Sequence, residues 1–141
     1  MKLKHLNMFL DMAEVAAKTS TAVRLKVGAI LVKDSRILSI GINGTVPGAD
    51  NNCEELINGE LVTKNTVSHA EMQSIYKAAR DGQALEGASL FCNYAPCLAC
   101  AIALVNTGIS NVYYRNSYRS TDGIEFLVSN NVAVESIIEA R

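Results

Sequence analysis

At 141 residues, 49% of them apolar and 19% charged, the chain is long enough to build one hydrophobic core without covalent staples and has the composition of a soluble globular protein. Its formal net charge of −1 argues against a surface that grips a polyanion unaided, so nucleic acid is not an expected partner. A small phosphorylated molecule stays compatible, because one or two placed cations can hold it.

The segment 1–20 starts basic, but Asp11 and Glu14 interrupt any apolar run, so neither a secretory signal nor a membrane span is expected. Leu3, Leu6, Leu10, Ala13 and Ala17 recur at helical spacing and predict an amphipathic helix. No later stretch is apolar for long enough to cross a bilayer. The expected compartment is the cytoplasm, with the four cysteines as reduced thiols or metal ligands. Val27 to Val32 and Ile37 to Ile42 are short apolar runs across a polar break at 33–36, and they predict an antiparallel hairpin. From Asn43 to Asn65 the chain is rich in Asn, Gly, Glu and Thr and reads as a long functional loop.

His69 to Arg80 reads as a helix that stops at Asp81-Gly82, and Ser89 to Asn93 as a strand. Cys97 to Thr107 is an apolar helix closed by Gly108, where a glycine cap is expected. Val112 to Arg115 predicts a strand, Asp122 to Asn130 a helix capped by Ser120 or Thr121, and Val132 to Val134 a last strand followed by a short helix. Alternating helices and strands imply right-handed crossovers and parallel pairing of the later strands. The expected fold is α/β: a single domain over 1–141, with a three-layer α/β/α arrangement on a mixed five-stranded sheet whose first hairpin is antiparallel.

Two short motifs carry chemistry: Ser68-His69-Ala70-Glu71 and Pro96-Cys97-Leu98-Ala99-Cys100. Taken singly, each has a plain reading. Ser68 and Glu71 fit a capping box at a helix start, and Cys97-x-x-Cys100 fits a redox pair or half of a structural zinc site. Taken together, they place His69 at one helix start and both cysteines at another, with Pro96 just ahead of it and Cys97 on its first turn. Helix N-termini are partially positive and favour thiolates, hence metal ligation near neutral pH. The remaining candidates for a fourth ligand are His5, Cys53 and Cys92, and none has the paired spacing of a zinc site. Three protein ligands leave a position for water, which is the pattern of a catalytic zinc. Such a zinc lowers the pKa of its water from ~16 to ~7. Glu71, two residues beyond His69, is placed to move the protons. This chemistry suits attack on an amidine-like ring carbon that bears an exocyclic amine.

His69-Ala70-Glu71, followed 25 residues after the glutamate by Pro96-Cys97-x-x-Cys100, is the signature of the zinc nucleobase deaminases. The chain resembles the zinc-dependent cytidine and deoxycytidylate deaminase family, most of all its short bacterial and phage deoxycytidylate (dCMP) forms. The supporting stretches are Val27 to Asp34, Ile40 to Thr45, Asn52-Cys53-Glu54 and Tyr113 to Phe126. The resemblance implies a cytidine deaminase-like fold, with one catalytic zinc per subunit on His69, Cys97 and Cys100 and Glu71 as proton shuttle. It also implies that Asn43 bonds the sugar or phosphate and that Ala70 offers its backbone to the cytosine edge. Arg24, Lys26 and Arg119 are candidates for the phosphate, each also readable as a solvated or structural charge, and Tyr118 is a candidate to pack on the nucleotide.

Relatives of this type are commonly hexamers activated by dCTP and inhibited by dTTP, which places a second nucleotide near Gly44, Asn51 and Asn52 at subunit contacts. Val46 stands between Asn-Gly-Thr and Pro47, where the family usually places proline directly. Ala95, before Pro96, is smaller than the residue many relatives carry there. The leading expectation is deamination of dCMP to dUMP. The alternatives are deamination of cytosine, guanine or tRNA adenosine, and a non-catalytic binding module stabilised by zinc.

Overall fold

A strand buried on both faces needs apolar side chains in both directions, and the run from Val27 to Val32 supplies them, whereas the run from Ile37 to Ile42 leaves Ile37 and Ile40 exposed at a sheet edge. In the computed structural model, which describes residues 1–138, the elements in chain order are α1 (Leu3–Ala17), β1 (Gly28–Lys33), β2 (Arg36–Ile42), β3 (Glu54–Ile57), β4 (Glu60–Thr63), α2 (Ala70–Arg80), β5 (Ser89–Tyr94), α3 (Leu98–Asn106), β6 (Asn111–Asn116), α4 (Asp122–Ser129) and β7 (Ala133–Ser136). Five strands form one sheet in the order β2-β1-β5-β6-β7. The first hairpin is antiparallel and the later pairs are parallel, as the alternation of elements predicts.

Side-chain alternation divides the core in two. Ala29 and Leu31 of β1, with Leu90 and Cys92 of β5, pack against α2, α3 and α4. Ile30, Val32 and Phe91 point the other way, onto Leu6, Phe9, Leu10 and Ala13 of α1. Leu6, Leu10, Ala13 and Ala17 are buried as the helical spacing requires, whereas Leu3 lies exposed at the helix start. Arg115 of β6 fastens α1 to the sheet: its Nη1 reaches Asp11 at 2.8 Å and Glu14 at 2.9 Å. No helix among the described residues is long and apolar enough to cross a membrane.

Two expectations change. The stretch 43–65 is not a structureless loop, because β3 and β4 form a small separate hairpin within it. Its turn is Asn58-Gly59, both with positive φ (52° and 79°), the two-residue connection that matches strand twist. The expected C-terminal helix is also absent where it can be seen. The last strand runs on to Ser136, Ile137 and Ile138 are not helical, and the remainder of that helix lies outside the described residues.

Because β1 pairs antiparallel with both β2 and β5, the strands β2, β5, β6 and β7 all run the same way. Their C-terminal ends share one edge of the sheet, where α/β folds place ligands. Two glycines bring helices close to that edge. A Cβ on Gly41 of β2 would overlap the carbonyl oxygen of Ala70 and stand 2.6 Å from the nitrogen of Ser74. A Cβ on Gly123 of α4 would overlap the carbonyl oxygen of Pro96 and stand 2.9 Å from that of Cys97. The start of α2 therefore rests on β2, and the start of α3 on α4, at backbone distance. Gly41→Ala is expected to destabilise the fold by about 1–3 kcal/mol through forced overpacking. A thermal melt should show Tm falling by several degrees, on the order of 5 °C.

Candidate active site

The site begins where two helices begin. His69 is the N-cap of α2 and Cys97 the N-cap of α3, both with extended backbone, and neither side chain caps its own helix. Both turn toward a common point instead. His69 Nδ1 lies 3.5 Å from Cys97 Sγ and 3.5 Å from Cys100 Sγ. A tetrahedral centre with bonds of about 2.05 Å to nitrogen and about 2.3 Å to sulfur separates such donors by about 3.6 Å. One imidazole and two sulfurs at that spacing fit zinc. Among the described residues the cluster has these three members, so a tetrahedral ion held there keeps one position open.

Two details of the sequence reading are corrected. The Ser68–Glu71 capping box does not form. Ser68 makes an isolated bridge with Gly44, its N–H donating to the Gly44 carbonyl at 2.8 Å and its own carbonyl accepting from Gly44 N–H at 3.1 Å. This frees Glu71 from the helix start. Cys97 is the cap of α3, not a first-turn residue, and only Cys100 lies within the helix.

The electrostatics suit a cation. The hydrogen bond from Cys100, with help from His69, pulls the Cys97 thiol down to about 4. The same bond to Cys97, together with burial, pushes Cys100 up. The Cys97 thiolate in turn raises His69 above its ordinary value, first through their hydrogen bond. Glu71 is 4% exposed, and burial pushes its carboxyl up to about 7, the bond from its own backbone amide opposing the shift. Cys92 is fully buried and raised well above the usual thiol range by that burial, the inert state expected of it. Cys53 lies against Thr21, 3.4 Å away, and does not join the cluster.

Above the cluster lies a cavity of about 450 Å³. His69, Ala70, Glu71 and Cys97 line one side of it, and Arg24, Asn43, Tyr118 and Arg119 are on its walls.

The family profile described as the cytidine and deoxycytidylate deaminase zinc-binding region matches residues 3–116. The chain belongs to this family. Zinc is therefore the metal that the three donors are built to hold. The chain is similar to the dCMP deaminase of cyanophage S-TIM5, whose crystal structure contains dCMP and dUMP, at a TM-score of 0.91 and 40% identity, covering 97% of this chain and 99% of that one. It is 33% identical over 132 residues to the deoxycytidylate deaminase of Saccharomyces cerevisiae, covering 89% of this chain, and spans 42% of that longer relative. The deoxycytidylate deaminase of Mycobacterium phage D29 is 33% identical over 117 residues, covering 75% of this chain and 90% of the phage protein.

Of the deaminase-like residues named from the sequence, Lys26 is the one that turns away from the cavity: its Nζ donates to the Ser20 carbonyl at 2.7 Å. Arg119 places its guanidinium 5.7 Å from the centroid of the Tyr118 ring. Asn43 is committed to the wall itself. Its Oδ1 accepts from Val27 N–H at 2.8 Å and its Nδ2 donates to the Leu25 carbonyl at 2.7 Å. Asn93, buried and not singled out from the sequence, does the same one residue along, accepting from Gly28 N–H at 3.0 Å and donating to the Lys26 carbonyl at 3.1 Å. Two side-chain amides thus supply most of the hydrogen bonds along residues 25–28, beside one main-chain bond from Asn43 N–H to the Val27 carbonyl at 3.2 Å.

Gly44 and Asn51 lie in a second cleft of about 340 Å³, whose wall Asn43 shares. Asn52 lies outside its lining and shapes the adjoining turn, its N–H donating to Asp50 Oδ1 at 2.9 Å. The sequence reading missed the cations of this cleft, Lys77 and Arg80, and also Gln73 and Tyr76, which all stand on one side of α2. Their i, i+3, i+4 and i+7 spacing was the available signal.

Metal analysis of the purified chain is expected to give about one zinc per chain, the number one three-donor site holds. Cys100→Ala should lose most of that zinc, and a chelator should lower the Tm of the wild type but not of the variant.

Proposed function

We propose that this chain is a zinc-dependent aminohydrolase that converts dCMP and water to dUMP and ammonia. The observation that carries the proposal is the buried Glu71 carboxyl beside three donors that leave one coordination position open. When bound, zinc lowers the pKa of a water in that position to ~7.

Glu71 does the proton work. A carboxyl with a pKa of about 7 can take a proton and give it back at working pH. It accepts the proton of the attacking water and passes it to the ring nitrogen next to the reacting carbon. It then takes the proton of the hydroxyl newly bonded to that carbon and delivers it to the exocyclic amine, which leaves as ammonia as the carbon–nitrogen bond breaks and the carbonyl of dUMP forms. Ala70 is the first residue of α2, so its N–H has no helical carbonyl to bond and is free for the pyrimidine edge. Arg24 and Arg119 supply positive charge to the walls, which favours a phosphorylated nucleotide over a free base. Tyr118, beside Arg119, offers a ring face to the sugar or base.

The second cleft supports the finer reading that dCTP activates and dTTP inhibits, with the effector phosphates near Lys77 and Arg80 and the loop carrying Gly44, Asn51 and Asn52 closing over the nucleotide. A hexamer, a single domain over 1–141 and a cytoplasmic setting complete the proposal.

Glu71→Gln is expected to keep its zinc and its melting temperature while kcat for dCMP falls by about 10³-fold, the scale of a lost general acid–base group. Release of ammonia from guanine, cytosine or a tRNA anticodon stem, with none from dCMP, would overturn the substrate assignment. Addition of dCTP should lower the half-saturating dCMP concentration of the wild type, an effect that Arg80→Ala abolishes.

A further inference from the structure

The hairpin β3–β4 lies outside the main sheet, yet its base touches the cavity wall. Glu54, the first residue of β3, is 3% exposed, an unusual place for a carboxylate with no ion-pair partner among the described residues. Its Oε2 accepts two backbone N–H groups, from Val23 at 2.8 Å and from Arg24 at 3.1 Å. Its Oε1 is buried with no hydrogen-bond partner among the described residues. Across the hairpin, Thr63 stands in register with Glu54, and its Oγ1 lies 3.4 Å from Arg24 Nη1. The base of the hairpin therefore holds Arg24 twice, by its backbone through Glu54 and by its guanidinium through Thr63, and both Arg24 and Thr63 line the cavity.

Arg24 sits in a segment without helix or strand. The amides of Asn43 and Asn93 fix residues 25–28, but they do not reach Val23 or Arg24. A long side chain on an unsupported loop samples many positions, and ordering it on binding weakens affinity. A buried carboxylate that carries two charge-assisted bonds to the backbone removes that freedom in advance.

We infer that Glu54 is a positioning residue, which sets Arg24 on the cavity wall to meet the anionic group of the substrate, a phosphomonoester. The inference rests on the nucleotide deaminase reading above and adds a specificity device that lies outside the reacting centre. It predicts a loss confined to binding of the phosphorylated substrate.

The test is steady-state kinetics of the zinc-loaded enzyme on dCMP and on deoxycytidine, with calorimetric binding of dUMP as a second readout. Glu54→Ala should raise KM for dCMP and Kd for dUMP by about tenfold, the scale of lost hydrogen bonds to a charged group, with kcat within a factor of about two. Deoxycytidine turnover should not share the loss. Glu54→Gln, which keeps an acceptor for both N–H groups, should recover most of the affinity. In an Arg24→Ala background, Glu54→Ala should add nothing further. Should Glu54→Ala fail to fold, Thr63→Val, which leaves the buried carboxylate in place, should still raise KM for dCMP alone. Equal losses on both substrates, a loss in kcat alone, or additive effects of the Glu54 and Arg24 substitutions would overturn the role of Glu54. A wild-type enzyme that turns over deoxycytidine but not dCMP would instead overturn the parent reading.

Discussion

Everything chemical in this molecule depends on two helix N-termini meeting at one point. Each N-terminus presents unbonded N–H groups and partial positive charge, so two of them facing each other repel unless negative charge lies between. Here that charge comes from the Cys97 thiolate, with the sulfur of Cys100 and the imidazole of His69 completing the triangle. The sheet makes the meeting possible. Its strands β2, β5 and β6 end on one edge, and Gly41 and Gly123 let the helix starts approach at backbone distance. A Cβ at either glycine would overlap the backbone beside a donor, that of Ala70 or that of Pro96 and Cys97, and force one of the two to shift.

Burial then sorts the remaining groups into different jobs. Cys92 and Glu71 are both buried near the metal site, and burial pushes both toward their neutral forms. The thiol is driven out of any useful range and becomes packing. The carboxyl, whose intrinsic pKa is lower and whose own backbone amide opposes the shift, stops near neutrality. The same physical effect therefore silences one group and tunes the other.

Much of this was legible in the sequence. The order of elements follows from hydrophobic periodicity, and the His69, Cys97 and Cys100 cluster from spacing, because helix starts are local features. The hairpin β3–β4 reads as loop although Asn58-Gly59 marks its turn, since its strands are short and its side chains mostly exposed. The Ser68–Glu71 capping box was misread because a local rule cannot see the Gly44 bridge that competes for Ser68. Lys26, readable both as a phosphate candidate and as a structural charge, is the second, since a carbonyl six residues back takes its ammonium. Glu54 and Asn93 were invisible for a different reason. Their partners lie about 30 and 65 residues away, and nothing in local sequence encodes such a pair.

The wall formed by residues 23–28 has a consequence for how this scaffold can change. Before it joins the β1–β2 ladder at Gly28, its main chain is held mostly by carboxylate and amide side chains, with one main-chain bond from Asn43 N–H to the Val27 carbonyl. A ladder shifts only as a unit, and its register ties it to the core. A wall pinned by separate side chains can be reshaped at one pin while the others hold. Evolution can thus redirect which molecules this scaffold admits through single exchanges remote from the metal, leaving the reacting centre untouched.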